Sequence, residues 1–331
     1  MTEGGLQGHD TILRNLRRQV VSGTVSHSYL IEGAEGAGKK TLARDFAMAL
    51  VCKEPQEGKA CGRCSSCRVF LSGNHPDVHV IRPDEKGSIP VQTIREELVQ
   101  DIEILPYYNG RKIYIVEDAQ NLSQQAQNVL LKTIEEPPEY AVILLLTTSV
   151  QSFLPTVISR CVQIRLLPLP EALVASILHD QYGIEEQTAV ECAAFSGGSV
   201  GKALQAASSE EYGQLRARWL DKLQRLSGLG PVDVMQWSKD LEGDQAHMED
   251  VLRILEVWFR DLVLVCETGD TSLCMCRGQA EALRKSAAKY DKKELYRKIE
   301  ILEDARSKRA HNVNFGLWAD WLLSQLALRS V

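Results

Sequence analysis

Short apolar runs alternate with helix-period segments through the first half of the chain. Ser28-Tyr29-Leu30-Ile31-Glu32 is followed by a glycine-rich turn, and from Lys39 to Leu50 the residues Leu42, Phe46 and Ala49 recur at helical spacing. Further runs stand at Val78-His79-Val80-Ile81, Ile113-Tyr114-Ile115-Val116, Ala141 to Leu146 and Val162-Gln163-Ile164, with a helical pattern at Gln124 to Ile134 among them. A strand covered by helices on both faces reads as a continuous apolar run rather than an alternating one. The pattern therefore predicts a three-layer α/β domain that ends near Arg165.

Leu166-Leu167-Pro168-Leu169-Pro170 breaks the pattern, because two prolines oppose both a continuing helix and a central strand. It reads as a domain junction. Beyond it strand signals almost vanish. Val251, Leu255, Trp258, Phe259, Leu262 and Val263 make one helical stripe, and Leu295, Ile299 and Leu302 another. Loops are expected at Ser196-Gly197-Gly198-Ser199, at Leu226 to Pro231 and at Thr268 to Ser272.

Composition narrows the class. The chain has 331 residues, 44% hydrophobic and 25% charged, which excludes collagen-like, low-complexity and wholly disordered readings. The longest clean apolar run, Ala141 to Leu146, is far short of the roughly 20 residues of a membrane span. Met1-Thr2-Glu3-Gly4-Gly5 offers neither the basic start nor the apolar stretch of a signal peptide, so a cytoplasmic location is expected. A net charge of −6 argues against an autonomous DNA binder, although a local basic face stays open.

Gly33-Ala34-Glu35-Gly36-Ala37-Gly38-Lys39 fits the phosphate-loop pattern and lies between an expected strand and helix. Glycines at Gly33, Gly36 and Gly38 let backbone N–H groups curl round phosphate oxygens, and Lys39 would reach the β and γ phosphates. The next position should be Ser or Thr to ligate Mg²⁺, but it is Lys40, whose ammonium cannot. Thr41 is rotated by roughly 100° on a helix and is a poor substitute. The strand Ile113 to Val116 ends in Glu117-Asp118, the reverse of the Asp-Glu order that organises Mg²⁺ and activates water in P-loop ATPases. Both departures predict a loop that binds nucleotide and hydrolyses it badly. The plainer readings are a glycine turn that only joins strand to helix, and two solvated acids at a strand end.

Cys52, Cys61, Cys64 and Cys67 have the spacing C-x8-C-x2-C-x2-C. Four close thiols suit a closed, tetrahedral, structural Zn²⁺ site, with an iron–sulfur cluster or unligated thiols as alternatives. Gly58, Gly62, Arg63, Ser65 and Ser66 suit a tight polar ligand loop more than a core. Arg160, in Ser159-Arg160-Cys161, is exposed enough in pattern to stabilise phosphoryl-transfer charge in a neighbouring subunit, or to be an ordinary solvated cation.

These features, in this order, resemble the clamp-loader branch of the AAA+ ATPases. The resemblance rests on Ser26-His27-Ser28-Tyr29-Leu30, the four-cysteine insert, Ser72-Gly73-Asn74-His75-Pro76-Asp77, Asn128 to Pro138 and Leu154 to Cys161, and it covers about residues 6 to 170. It implies a RecA-like AAA+ P-loop core over residues 1–166 with a zinc insert at about 52–72, a small helical lid over 167–208 and an all-α collar domain over 209–331. It implies a hetero-pentamer with tau/gamma and delta subunits that opens a ring-shaped sliding clamp and closes it on primed DNA for the bacterial replicative polymerase. Arg160 would act in trans as an arginine finger. Thr147 or Thr148 would be a nucleotide sensor at a strand end, with Thr148 taken as the site residue, and Gly201-Lys202-Ala203 a second sensor with Lys in place of Arg. Trp258, Phe259, Trp318 and Trp321 read as collar core or subunit interface.

Lys40 and the Glu117-Asp118 inversion favour an ATPase-impaired, stator-like subunit with ATP or ADP bound weakly or without turnover. The alternatives are an ATP-hydrolysing tau/gamma-like motor that tolerates Lys40, and a zinc-dependent nucleic-acid module. No polymerase or nuclease site is visible, so any nucleotidyltransferase activity would belong to a holoenzyme.

Overall fold

A computed structural model of the chain describes residues 6–108, 110–309 and 313–327. It divides into two compact units, one of residues 1–173 with 199–201, the other of residues 174–198 with 202–331.

The first unit runs α1 (Asp10–Ser22), β1 (Ser28–Gly33), α2 (Lys39–Val51), α3 (Ser65–Leu71), β2 (Val78–Ile81), α4 (Val91–Ile94), β3 (Lys112–Val116), α5 (Gln124–Glu135), β4 (Ala141–Thr147), α6 (Pro155–Ile158) and β5 (Val162–Leu166). The five apolar runs are the five strands. They form one sheet in the order β2-β3-β4-β1-β5, and every neighbouring pair is parallel.

Strand alternation explains the continuous apolar runs. Ile113 and Ile115 of β3 and Val142, Leu144 and Leu146 of β4 pack with Leu42, Phe46 and Ala47 of α2. Tyr114 and Val116, with Ala141, Ile143 and Leu145, pack on the other face with Leu130 and Ile134 of α5 and Ile94 of α4. Side chains on both faces are thus removed from water, which is why β3 and β4 are built of apolar and aromatic residues apart from Lys112 at the start of β3 and Thr147 at the end of β4. Helix α5 begins where the side chain of Ser123 accepts from the N–H of Ala126 at 3.2 Å, satisfying one of the orphan donors of the first turn.

The second unit is helical: most of α7 (Glu171–Tyr182), then α8 (Glu186–Phe195), most of α9 (Val200–Ser208), α10 (Glu210–Arg225), α11 (Pro231–Gly243), α12 (Met248–Thr268), α13 (Ala280–Ala287), α14 (Lys292–Arg309) and α15 (Phe315–Ala327). Its core joins Phe195, Trp219, Trp258, Phe259, Leu302 and Trp318. The stripe on α12 is buried except at Val263, and the stripe on α14 except at Ile299, which are half-buried. Trp321 is also half-buried, with the Lys308 ammonium 3.7 Å from its ring centre. Asp261 of α12 is fully buried. It accepts from the N–H groups of Met275 at 3.0 Å and Cys276 at 2.7 Å and so pins the loop after α12, while burial pushes its carboxyl pKa up. No helix among the described residues is long and apolar enough to cross a membrane.

Candidate nucleotide and metal centres

The turn between β1 and α2 needs its glycines. Gly36 has φ 70° and Gly38 φ 93°, a region where a Cβ is strained. Gly36 also lies against residues 199–201: the N–H of Gly201 donates to the Gly36 carbonyl at 3.0 Å, and the Ser199 hydroxyl to the Glu35 carbonyl at 2.9 Å. The close approach is built on Gly201, since a Cβ there would stand 2.7 Å from the Gly36 Cα. Lys39 is buried at 7% exposure, and its ammonium donates to the carbonyls of Gly33 at 2.7 Å and Ala34 at 2.9 Å. Burial lowers its pKa, and the Asp118 carboxylate works against that.

Sheet order carries β3 to within side-chain reach of this turn. The Lys40 ammonium lies 2.8 Å from Glu117 Oε2 and 3.8 Å from Asp118 Oδ2. Arg82, just beyond β2, places its Nε 3.2 Å from the same Glu117 Oε2. Two cations therefore share one carboxylate oxygen. Asp118 adopts a left-handed backbone, φ 49° and ψ 44°, unusual for a residue other than glycine. Nothing in the sequence pattern singled out Arg82; the signal was its position one residue past a strand end, level with Glu117.

The other expected residues are distributed as follows. Thr147, the last residue of β4, is buried and its Oγ1 donates to the Ser149 carbonyl. Thr148 is exposed, and its N–H donates to Gln120 Oε1 at 3.2 Å. Lys202 stands on α9 in the second unit. Arg160 follows α6, partly exposed, with Nη2 2.9 Å from Glu135 Oε1 and Nη1 donating to the Thr156 carbonyl at 3.0 Å.

The four cysteines converge. Their sulfurs all lie within 4.8 Å of one another, close to the edge of about 3.8 Å that a tetrahedron of thiolates takes at a Zn–S distance of 2.3 Å. Backbone N–H groups point at them: Cys61 to the Cys52 sulfur at 3.3 Å, Cys64 to Cys61 at 3.4 Å and Cys67 to Cys64 at 3.4 Å. Burial pushes the Cys67 thiol up. For Cys64 burial acts the same way, but the N–H groups of Cys67 and Lys53 and the neighbouring thiols outweigh it and hold the group down to about 6. The donor set fits a metal ion.

One expectation for this insert is corrected. Ser66 is not part of a polar loop but is fully buried, donating to the Val51 carbonyl at 2.6 Å. Its oxygen is 2.9 Å from His75 Nε2, whose Nδ1 accepts from the Asp77 N–H at 3.1 Å. That pair of contacts assigns the proton to Nε2. Asp77 in turn accepts from the N–H groups of Tyr107 at 2.6 Å and Tyr108 at 3.0 Å. His75 and Asp77 thus tie the insert to the segment before β3. Gly58 seats the insert on α1: at φ 76° it approaches so closely that a Cβ would lie 2.3 Å from the Arg17 carbonyl.

A parallel sheet with a phosphate loop after β1, acids after β3 and a four-cysteine insert fits the P-loop core that the sequence resemblance to the clamp-loader branch of the AAA+ ATPases implies. Residues 8–170 match the family described as DNA polymerase III, delta subunit. The DNA polymerase III subunit delta' of Pseudomonas aeruginosa is 39% identical over 148 residues, 44% of each chain. The subunit delta' of Bacillus subtilis is 26% identical over 309 residues, 92% of this chain and 91% of that one. The subunit tau/gamma of Haemophilus influenzae is 34% identical over 171 residues, 52% of this chain and 24% of that one. The chain is similar to the delta-prime subunits of DNA polymerase III, over residues 8–170 through the family match and over 92% of its length through the Bacillus relative. The match to the Pseudomonas relative spans less than half of that protein's length.

Proposed function

We propose that the chain is a stator-like, ATPase-impaired subunit of the bacterial clamp loader. It would stand in a hetero-pentamer with tau/gamma and delta subunits in the cytoplasm and help to close a sliding clamp on primer-template DNA. The observation that carries the impairment is the Lys40 ammonium 2.8 Å from Glu117: the position that supplies a metal-ligating hydroxyl in a working P-loop supplies a cation instead. ATP or ADP would bind here without useful turnover, with Thr148 and Lys202 as sensor positions. The division into core, lid and collar at 1–166, 167–208 and 209–331 belongs to the same reading. Zn²⁺ in the cysteine cluster would be structural, because four thiolates leave no open position.

Arg160 is the residue we assign to a neighbour's site. Glu135 Oε1 takes Nη2 and the Thr156 carbonyl takes Nη1 of its guanidinium, yet the side chain stays 39% exposed, which suits a charge that a neighbour's phosphate can reach. A loader rebuilt from tau/gamma, delta and this chain should lose most of its clamp- and DNA-stimulated ATP hydrolysis with Arg160→Ala while still assembling. Unchanged hydrolysis would reduce Arg160 to a surface cation. The likeness to tau/gamma favours a second reading, a motor subunit. Robust metal-dependent ATP turnover by the isolated chain would establish that reading and defeat ours.

A further inference from the structure

The acidic corner beside the phosphate loop is already neutralised by the chain itself. Glu117 is buried at 8% exposure, and its Oε2 takes both the Lys40 ammonium at 2.8 Å and the Arg82 guanidinium at 3.2 Å. The same ammonium is 3.8 Å from the Asp118 carboxylate. A divalent ion entering this corner would meet no hydroxyl ligand from α2, would have to displace two cations from its carboxylate, and would sit against the charge of Lys40. Magnesium does not fit the residues present.

We propose that Lys40 is a built-in substitute for the divalent cation, so that this loop takes the phosphate chain of a nucleoside diphosphate or triphosphate without magnesium. An ammonium carries three donors, so one can stay on Glu117 while others remain for a phosphate oxygen. In a metal-dependent loop the ion bridges acid and phosphate. Here a covalently tethered charge does so, with the backbone and Lys39 supplying the remaining contacts. The bridge holds phosphate without the geometry that aligns a water for attack, so binding and hydrolysis come apart in one substitution. This inference rests on the reading of the chain as an impaired loader subunit.

The test is direct binding of a fluorescent ADP analogue to the purified full chain, in excess magnesium and in EDTA. The native chain should give dissociation constants within about twofold of each other, whereas Lys40→Thr should bind about tenfold tighter with magnesium than without, a difference of about 1.4 kcal/mol. Magnesium-dependent binding by the native chain would overturn the proposal. So would no binding in either buffer, or a Lys40→Thr variant indifferent to magnesium. None of these failures touches the Arg160 experiment, whose readout is a neighbour's hydrolysis.

Discussion

The phosphate-loop corner and the cysteine insert lie in the same α/β unit, and they handle charge in opposite ways. At the corner, two acids after β3 meet Lys40 and Arg82, so the chain supplies its own counter-charge. In the insert, the sulfurs face backbone N–H groups and one another, and no Lys or Arg side chain is among the groups that shift them. Dipoles alone do not balance several thiolates, so the insert calls for a cation from outside. The lesson is that a site that has absorbed its own cation survives metal removal, while one that has not depends on it.

The largest effect should therefore come from the insert. Cys64→Ser removes one of four ligands, and because binding energy at such a site is folding energy, the variant should lose its metal and several kcal/mol of local stability. Metal content measured by a colorimetric zinc assay, together with thermal unfolding, checks this. Full metal retention with an unchanged transition would end the case for Cys64 as a metal ligand and for the four-thiolate site. Chelation of the native chain should reproduce the variant's loss.

A smaller effect concerns the support beneath the insert. Burial lowers the pKa of His75 below its ordinary 6.5. The unfolded chain then binds a proton that the folded chain refuses, so the contribution of His75 to stability is present above pH 6.5 and declines as pH falls below it. His75→Gln can keep a donor toward Ser66 without titrating. Its urea-unfolding free energy should fall less than that of the native chain between about pH 7.5 and about pH 5.5. Thiolate ligands are protonated over part of the same range, so the His75 share is the difference between the two proteins. Equal losses would show that His75 is protonated without penalty in the folded state.

How much of this was legible in the sequence follows from how local each signal is. The strands, the glycine turn after β1 and the cluster of four cysteines were readable because apolar runs, glycine spacing and C-x2-C spacing each fall within a few residues. The departures at Lys40 and at Glu117-Asp118 were also readable, but as two separate defects. Their union as an ion pair was not, because 77 positions separate them and only the sheet order β3-β4-β1 brings them together. Arg82 escaped for the same reason. Ser66 misled because a serine between ligand cysteines looks like loop, whereas a helix that starts at Ser65 turns it inward to a buried carbonyl and His75.

The smallest expected effect sharpens the comparison most. Lys40→Thr breaks an ion pair whose lysine side chain is 60% exposed, and such pairs are screened by solvent, so the cost should be below about 1 kcal/mol. Arg82 also remains 3.2 Å from Glu117, so that carboxylate does not lose all its partners. Equilibrium urea unfolding of the variant should then nearly overlay that of the native chain, even as its response to magnesium changes. A loss comparable to that of Cys64→Ser would mean that Lys40 holds β3 against α2 as a structural tie. The corner would then be conserving its fold rather than replacing a metal, and the two regions would differ only in which cation they need to stand.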